Sequence, residues 1–172
     1  VVVDQFWDKL AQSGLPTYVS LSVPFFFSIQ LLCDFMAYTD IARGIAYQLG
    51  FRLPINFNAP YLATSFSNFW KRWHITLSNW FKHYIYIPLG ESRRGVVVVI
   101  FNITLVFLVS GLWHGANLIF IVWGCILSIA LVTEVLAIRI WRNIDSNIFR
   151  GLIGKTLVSS SALAWYFVVQ LV

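Results

Sequence analysis

The sequence predicts an all-α integral membrane protein: a polytopic helical bundle with an interfacial amphipathic helix and re-entrant or broken helices around a polar tunnel. Of the 172 residues, 59% are hydrophobic and 11% are charged, whereas a soluble domain carries roughly 25% charged residues. Long uncharged stretches alternate with short basic segments, and the net charge is +5. Such a chain cannot cover a water-facing surface, and its basic residues are typical of loops beside lipid headgroups rather than of a nucleic-acid interface.

Residues 1–172 are interpreted as one partial transmembrane domain, from the middle to late part of a longer protein. The chain begins with Val1 rather than an initiator methionine, and no secretory leader pattern precedes its first apolar stretch. It stops within an uncharged run, Thr156–Val172, which is shorter than the roughly 20 residues of a comfortable membrane span. We therefore expect an internal piece of a polytopic protein.

The first apolar stretch, Pro16–Ala37, predicts a membrane helix with a kink at Pro24. Asp40 follows this stretch and is a candidate cap for a helix that begins at Ile41. The next segment, Leu53–Tyr61, contains two prolines and two asparagines, which predicts a structured loop.

The middle segment, Ser65–Tyr84, predicts one amphipathic helix that lies along the membrane interface. Its aromatic stripe follows i, i+3, i+4 and i+7 spacing. The stripe consists of Phe66, Phe69, Trp70, Trp73, Leu77, Trp80, Phe81 and Tyr84. The opposite arc is polar and partly basic, a combination that favours the interface over a spanning position. His74 and His83 project at the two borders of the stripe.

The longest uncharged run, Val96–Thr133, contains 38 residues without Asp, Glu, Lys or Arg. As one helix it would be about 57 Å long, against a hydrocarbon core of roughly 30 Å. A break is therefore expected near His114, which Gly111 and Gly115 flank. Basic residues on both sides favour a helical hairpin with both flanks in the cytoplasm and a first arm over Val96–Ser110. A kinked single pass is the alternative.

His114 is the leading candidate for a functional residue. Ionisable groups at bilayer depth are costly and usually face a bundle interior or a water-filled cavity. With His74, it could supply an acyl transfer with a base and a second polar group. Burial would lower the pKa of such a histidine and keep it a proton acceptor. The alternative for both is a structural or interfacial hydrogen bond, and His83 is expected to be interfacial and non-catalytic.

The sequence gives little support for a metal site, a serine nucleophile or a phosphate-binding loop. The spacing of histidine, cysteine and acidic residues predicts no metal site. The sequence contains neither a nucleophile elbow nor a phosphate-cradling glycine loop.

Five motifs resemble, in order, those of bacterial membrane-bound O-acyltransferases. They are Cys33–Ala42, Asn56–Tyr61, Phe69–Ser78, Tyr84–Gly90 and Gly111–Ala116. The resemblance is greatest to the members that O-acetylate alginate, and members that transfer D-alanine to teichoic acid are similar. The chain departs from the family pattern at Cys33, Asp34 and Met36 and over residues 91–94, and none of these positions is one of the two histidines.

The resemblance implies a catalytic His114 inside a tunnel through the membrane and an essential His74 on the tunnel wall. Further residues are predicted to line the tunnel or contact substrate. These are Trp113, Trp70, Arg72, Asn68 and Asp40.

The implied activity moves an acyl group, with acetyl expected, from a cytoplasmic thioester toward hydroxyls of an extracytoplasmic polysaccharide such as alginate. The donor, acetyl-CoA or an acyl carrier protein, is a co-substrate, and neither a tightly bound cofactor nor a metal is expected. The expected partners are membrane lipid, the polysaccharide and a periplasmic or extracellular acetyltransferase, with no nucleic acid. The resemblance also implies a multi-pass protein of the bacterial cytoplasmic (inner) membrane.

Three alternatives stay open at this point. One is D-alanyl transfer to teichoic acid, and another is a scaffold that only recruits a periplasmic transferase. The third is a multi-span transporter that uses His114 as a proton relay. Transporters usually show repeated halves and acidic residues within the membrane, and neither is visible here.

Overall fold

The structure, a computed structural model, describes residues 17–91 and 95–143, and the side chains of residues 17–24 and 142–143 fall outside that description. The predictions on the first residues and on Thr156–Val172 therefore lie outside the described residues. Every regular element within the described ranges is a helix. Three of these helices are long and apolar enough to cross a membrane. The predicted class of helical membrane protein is confirmed.

The first helix, α1, covers Thr17–Gln48 and is longer than its apolar stretch predicted. It continues past Pro24 and Ile41 without dividing into two helices. Asp40 is consequently not a helix cap. It lies within α1, where the i, i+3 spacing lets its carboxylate accept a hydrogen bond from the Arg43 guanidinium at 2.7 Å.

The middle segment is not the single amphipathic helix that its periodicity predicted. It forms α2 over Phe66–Trp70 and α3 over Ile75–Phe81, followed by a π-helical turn over Lys82–Tyr86. The break falls at His74, whose φ of 42° and ψ of 55° are left-handed and cannot continue a right-handed helix. The aromatic stripe persists on both sides of the break, so periodicity alone did not reveal it.

The long uncharged run forms the predicted hairpin. Its arms, α4 over Val96–His114 and α5 over Leu118–Asn143, pack against each other and are joined by residues 115–117. The first arm ends at His114 rather than at Ser110, which makes it about 28 Å long and close to the thickness of a hydrocarbon core.

Glycines set the distance between the two arms. A Cβ added to Gly124 would lie 2.5 Å from the backbone oxygen of Phe107, and one added to Gly111 would overlap the backbone oxygen of Phe120. The arms therefore approach more closely than any larger residue would permit at these positions, as is common between membrane helices.

The core joins the hairpin to the middle segment. Its buried members are Ala63, Phe66, Phe69, Val99, Ile103, Phe107 and Leu127. One polar contact connects the same elements: the Glu134 carboxylate of α5 accepts hydrogen bonds from the backbone N–H groups of Phe66 at 2.6 Å and Ser67 at 3.2 Å. These N–H groups belong to the first turn of α2 and have no partner within that helix. Glu134 thereby fixes the start of α2 against the hairpin.

Candidate functional site

A cavity of about 350 Å³ lies between α1, the α2–α3 segment and the hairpin. His74 and His114 both line it, although they are 40 residues apart in sequence. The other polar lining residues are Ser78 and Ser110, and most of the remaining lining is aliphatic or aromatic. The cavity is therefore a mainly apolar chamber with two imidazoles, rather than the polar passage that the sequence suggested.

His74 is held in this chamber by the break between α2 and α3. The backbone N–H of Asn58 donates to the carbonyl of Arg72 at 3.0 Å, and the N–H of Ile75 donates to the carbonyl of Asn56 at 2.9 Å. These two bonds come from the loop and bracket His74 on both sides. They satisfy backbone groups that an interrupted helix leaves open.

The Asn56 side chain adds two hydrogen bonds on the C-terminal side of His74. Its Oδ1 accepts hydrogen bonds from the Thr76 N–H at 3.2 Å and from the Thr76 hydroxyl at 2.6 Å. Asn56 thus caps the first turn of α3 from outside the helix, the role that an N-cap residue normally plays.

The imidazole of His74 is half-buried between aromatic rings. The Phe35 ring meets it edge to face at 4.9 Å between centroids. Its Nδ1 is buried and has no hydrogen-bond partner among the described residues. A buried ring nitrogen without a protein partner is costly unless a substrate or water atom satisfies it. The site therefore presents one nitrogen of His74 for a further hydrogen bond.

The surroundings of His74 lower its pKa below the usual 6.5. Burial is the main cause because it disfavours the charged imidazolium, and repulsion from a charged His114 adds to it. An interaction with its own backbone opposes both effects. His74 is accordingly neutral and able to accept a proton at physiological pH.

His114 is the last residue of α4, at the mouth of the same cavity. It is exposed, and its ring lies edge to face against Trp123 at 5.1 Å and roughly parallel to Phe120 at 6.3 Å between centroids. Its imidazole therefore packs against two rings of α5, and the neighbouring Trp113 ring also meets it edge to face at 5.2 Å.

Of the two tryptophans predicted to line the tunnel, one lines this cavity and the other does not. Trp70 lines the cavity, where its ring packs on Phe107 at 5.3 Å between centroids. Trp113 does not, because its position near the end of α4 turns the side chain outward and leaves it 60% exposed.

The three predicted polar contacts also lie outside this cavity. Arg72 donates from Nε to Asn68 Oδ1 at 2.5 Å and from a terminal nitrogen to the Asn58 carbonyl at 3.2 Å. Arg72 and Asn68 therefore support the break next to His74. Asp40 lies on a different cavity, beside Arg43. Direct substrate contact by these residues stays a prediction.

Three residues of the site were missed in the sequence: Trp123, Asn56 and Glu134. The signal for Glu134 was its position as the first charged residue after the 38-residue uncharged run. Asn56 stood in a loop with an unusual pair of asparagines. Ser110, predicted as the last residue of the first arm, is buried and also lines the cavity.

His83, expected to be interfacial, is exposed, and its Nδ1 donates to the Asn79 carbonyl at 2.7 Å. Among the described residues, no three histidine, cysteine or acidic side chains are grouped closely enough to hold a metal ion.

Comparison with known proteins identifies the family. The sequence model of the membrane-bound O-acyltransferase family (MBOAT) matches residues 5–162, which is most of the chain. The chain belongs to this family. This MBOAT chain is 51% identical over 105 residues to the peptidoglycan O-acetyltransferase of Helicobacter pylori. The alignment covers 61% of the chain and 20% of that protein.

Two further relatives widen the comparison. The chain is 47% identical over 98 residues to the probable alginate O-acetylase of Pseudomonas fluorescens, covering 57% of the chain and 20% of that protein. It is 32% identical over 105 residues to the teichoic acid D-alanyltransferase of Bacillus subtilis, covering 57% of the chain and 27% of that protein. This MBOAT chain therefore spans about a fifth to a quarter of the length of these relatives.

Proposed function

We propose that the protein containing this chain is an O-acyltransferase that moves an acyl group, acetyl in the first instance, from a thioester to a polysaccharide hydroxyl. The observation that carries the proposal is the convergence of His74 and His114 on one cavity in a chain of the MBOAT family. Ionisable side chains at membrane depth usually face a bundle interior or a water-filled cavity and mark functional sites, which is the reason that this convergence supports the proposal.

In the proposed reaction, a neutral imidazole of His114 takes the proton of the acceptor hydroxyl as its oxygen attacks the thioester carbonyl. The carbon–sulfur bond breaks, the ester forms, and the departing thiolate receives that proton. General base catalysis of this kind contributes about 10²–10⁴ in rate.

His74 has the complementary role in this proposal. One of its ring nitrogens, protonated in the neutral tautomer, would donate a hydrogen bond to the carbonyl oxygen as negative charge develops there. A donor at such a position typically contributes about 10²–10³ in rate. The backbone bonds on either side of His74 hold the ring still, which is what such pre-organised stabilisation requires.

The lining of the cavity supports an acyl substrate. Phe35 packs on the His74 imidazole and Leu127 lines the same cavity, so this ring has mainly apolar surroundings, in which electrostatic interactions are stronger than in water. A short acyl group would rest against this lining, while the polar part of the donor remains outside.

The donor is proposed to be acetyl-CoA or an acyl carrier protein that acts from the cytoplasm, because a charged thioester cannot cross lipid. The acceptor is proposed to be a cell-envelope polysaccharide such as alginate, reached from the other side with the help of a periplasmic or extracellular acetyltransferase. This arrangement places the protein in the cytoplasmic membrane of a bacterium. Relatives described as peptidoglycan and alginate O-acetylating proteins favour acetyl, and the D-alanyltransferase keeps D-alanine as the second candidate.

The test is acyl transfer by the full-length protein in membranes, with radiolabelled acetyl thioester and isolated polymer. His114→Ala and His74→Asn are each expected to lower the rate by at least 10². Asn is chosen at position 74 because it tolerates the left-handed backbone there. The matched control, His83→Ala, removes an exposed histidine outside the cavity and should retain the rate.

The same experiment separates the alternatives. A scaffold predicts wild-type polymer acetylation in both cavity variants, which would contradict the proposal. A transporter predicts proton-coupled uptake that is lost in His114→Ala, without any acyl transfer by the wild-type protein.

A further inference from the structure

A second cavity, of about 520 Å³, lies at the C-terminal end of α1, separate from the histidine chamber. No residue lines both cavities. Its lining comes from the last two turns of α1 and from the segment that follows Gly50. The lining includes Asp40, Arg43, Gly44, Tyr47, Phe51 and Arg52.

The charges of this cavity leave one guanidinium without a partner. Arg43 binds the Asp40 carboxylate at 2.7 Å and donates to the Leu53 carbonyl at 3.5 Å. Arg52, on the same cavity, has no hydrogen bond or ion pair with any described residue. Two guanidinium groups and one carboxylate give the cavity a net charge of +1, which suits a ligand with one negative charge.

The position of the cavity along α1 and its exposed apolar neighbours suit a boundary between lipid and water. The cavity lies at the end of Phe25–Gln48, a helix long and apolar enough to cross a membrane. Large apolar side chains around it face outward, among them Ile45, Leu49 and Phe51, each more than half exposed. An aromatic ring such as that of Tyr47 is typical of the headgroup region. The rim is therefore suited to hydrocarbon and the cavity to a headgroup.

Gly44 lines the cavity and leaves open space in front of the α1 backbone. It lies inside α1, where glycine is less favourable than alanine by roughly 0.5–1 kcal/mol. No described atom lies within 4 Å of a Cβ built on Gly44, so protein packing does not require a glycine there. The open space in front of this glycine instead suits a ligand that approaches the helix backbone.

We propose that this cavity binds the headgroup of an anionic phospholipid. Its singly charged phosphodiester contacts the guanidinium groups of Arg52 and Arg43, and Asp40 holds Arg43 in place. The acyl chains lie along the apolar rim. Basic pockets at membrane helices bind acidic headgroups in this way. This site does not depend on the proposed acyl transfer.

The experiment uses the full-length protein in nanodiscs that contain phosphatidylcholine with 0 or 20% phosphatidylglycerol, followed by native mass spectrometry of retained lipid. Arg52→Gln removes the unpaired charge, and retention of phosphatidylglycerol is expected to fall about fivefold. Gly44→Leu adds a large side chain at a position where no described atom lies within 4 Å of the Cβ, keeps the charges, and should give a similar loss. The matched control, Lys82→Gln, removes an exposed charge outside the cavity and should retain the lipid.

Two results would overturn the assignment. One is equal phosphatidylglycerol retention in Arg52→Gln, Gly44→Leu and Lys82→Gln. The other is binding of a soluble uronate oligosaccharide that depends on Arg52 while phosphatidylglycerol retention does not. His114→Ala should retain the lipid like the wild type, so failure of the proposed acyl transfer and failure of this site are distinguishable.

Discussion

The two histidines of the chamber are positioned by different physical means. His74 lies in a break that hydrogen bonds from a distant loop hold open, with Asn56 as the outside cap. His114 lies at the end of a helix whose position is set by close packing of α4 on α5 through Gly111 and Gly124. The position of His74 therefore depends on hydrogen bonds, and the position of His114 depends on close helix packing. Substitutions should affect the two halves through different mechanisms.

The largest effect on stability is expected on the packed side. Gly124→Val places branched carbon atoms against the Phe107 backbone, which cannot move without separating the arms. Overpacking of this kind costs about 1–3 kcal/mol or more. Thermal unfolding of the purified full-length protein in detergent measures the loss. Gly44→Ala is the control, because the same technique should show unchanged or higher stability where no described atom lies within 4 Å of the added Cβ.

The next effect concerns Glu134, which connects the two halves. Glu134→Ala leaves the N–H groups of Phe66 and Ser67 without their acceptor, at a cost of about 1–3 kcal/mol. Glu134→Gln keeps one acceptor oxygen and should lose less. Unfolding temperatures of the three proteins are compared in one detergent. An identical temperature for all three would show that this contact does not stabilise the start of α2.

On the polar side, Asn56→Ala removes the outside cap of α3 and should cost about 1 kcal/mol. Because the cap is adjacent to His74, the acyl-transfer kcat should fall further than the lost stability accounts for. Asn58→Ala is the matched control: Asn58 contributes through its backbone in the same loop, so its substitution should change little. Equal kcat values for the two variants would argue against a positioning role for Asn56.

The smallest effect is on the pKa of His74. Because its pKa lies below 6.5, the neutral form still dominates at pH 6.5, and transfer activity falls only as the pH drops through that lowered pKa. In His114→Gln, the repulsion between the rings is absent, so the pKa should rise part of the way back toward 6.5. The pH dependence of carbethoxylation of His74, followed by mass spectrometry, measures this shift. A shift in the opposite direction would show that His114 does not repel the charged ring.

The hairpin was predictable from sequence because its signals are local. The length of the uncharged run excluded one spanning helix, and Gly111 and Gly115 marked the break to within a few residues. Lipid allows few ways to satisfy the backbone, so length and charge constrained the result strongly.

The break at His74 was not predictable in the same way. The aromatic stripe of Ser65–Tyr84 continues across it, and local periodicity therefore favoured one helix. The groups that hold the break belong to Asn56 and Asn58, whose pairing with residues 72–76 is a long-range contact. Likewise, the spacing of Trp113 and Trp70 did not reveal that one ring turns outward and the other inward, because the tertiary packing determines this.

The short turn between α4 and α5 has a consequence for biogenesis. Three residues cannot extend across a bilayer, so the two arms have to insert as a pair, with Val96 and Trp141 on the same face. The ring at the end of the first arm is consequently brought to its depth only after the second arm has been synthesised. A ribosome stalled between the two would leave that ring without the wall that Trp123 supplies.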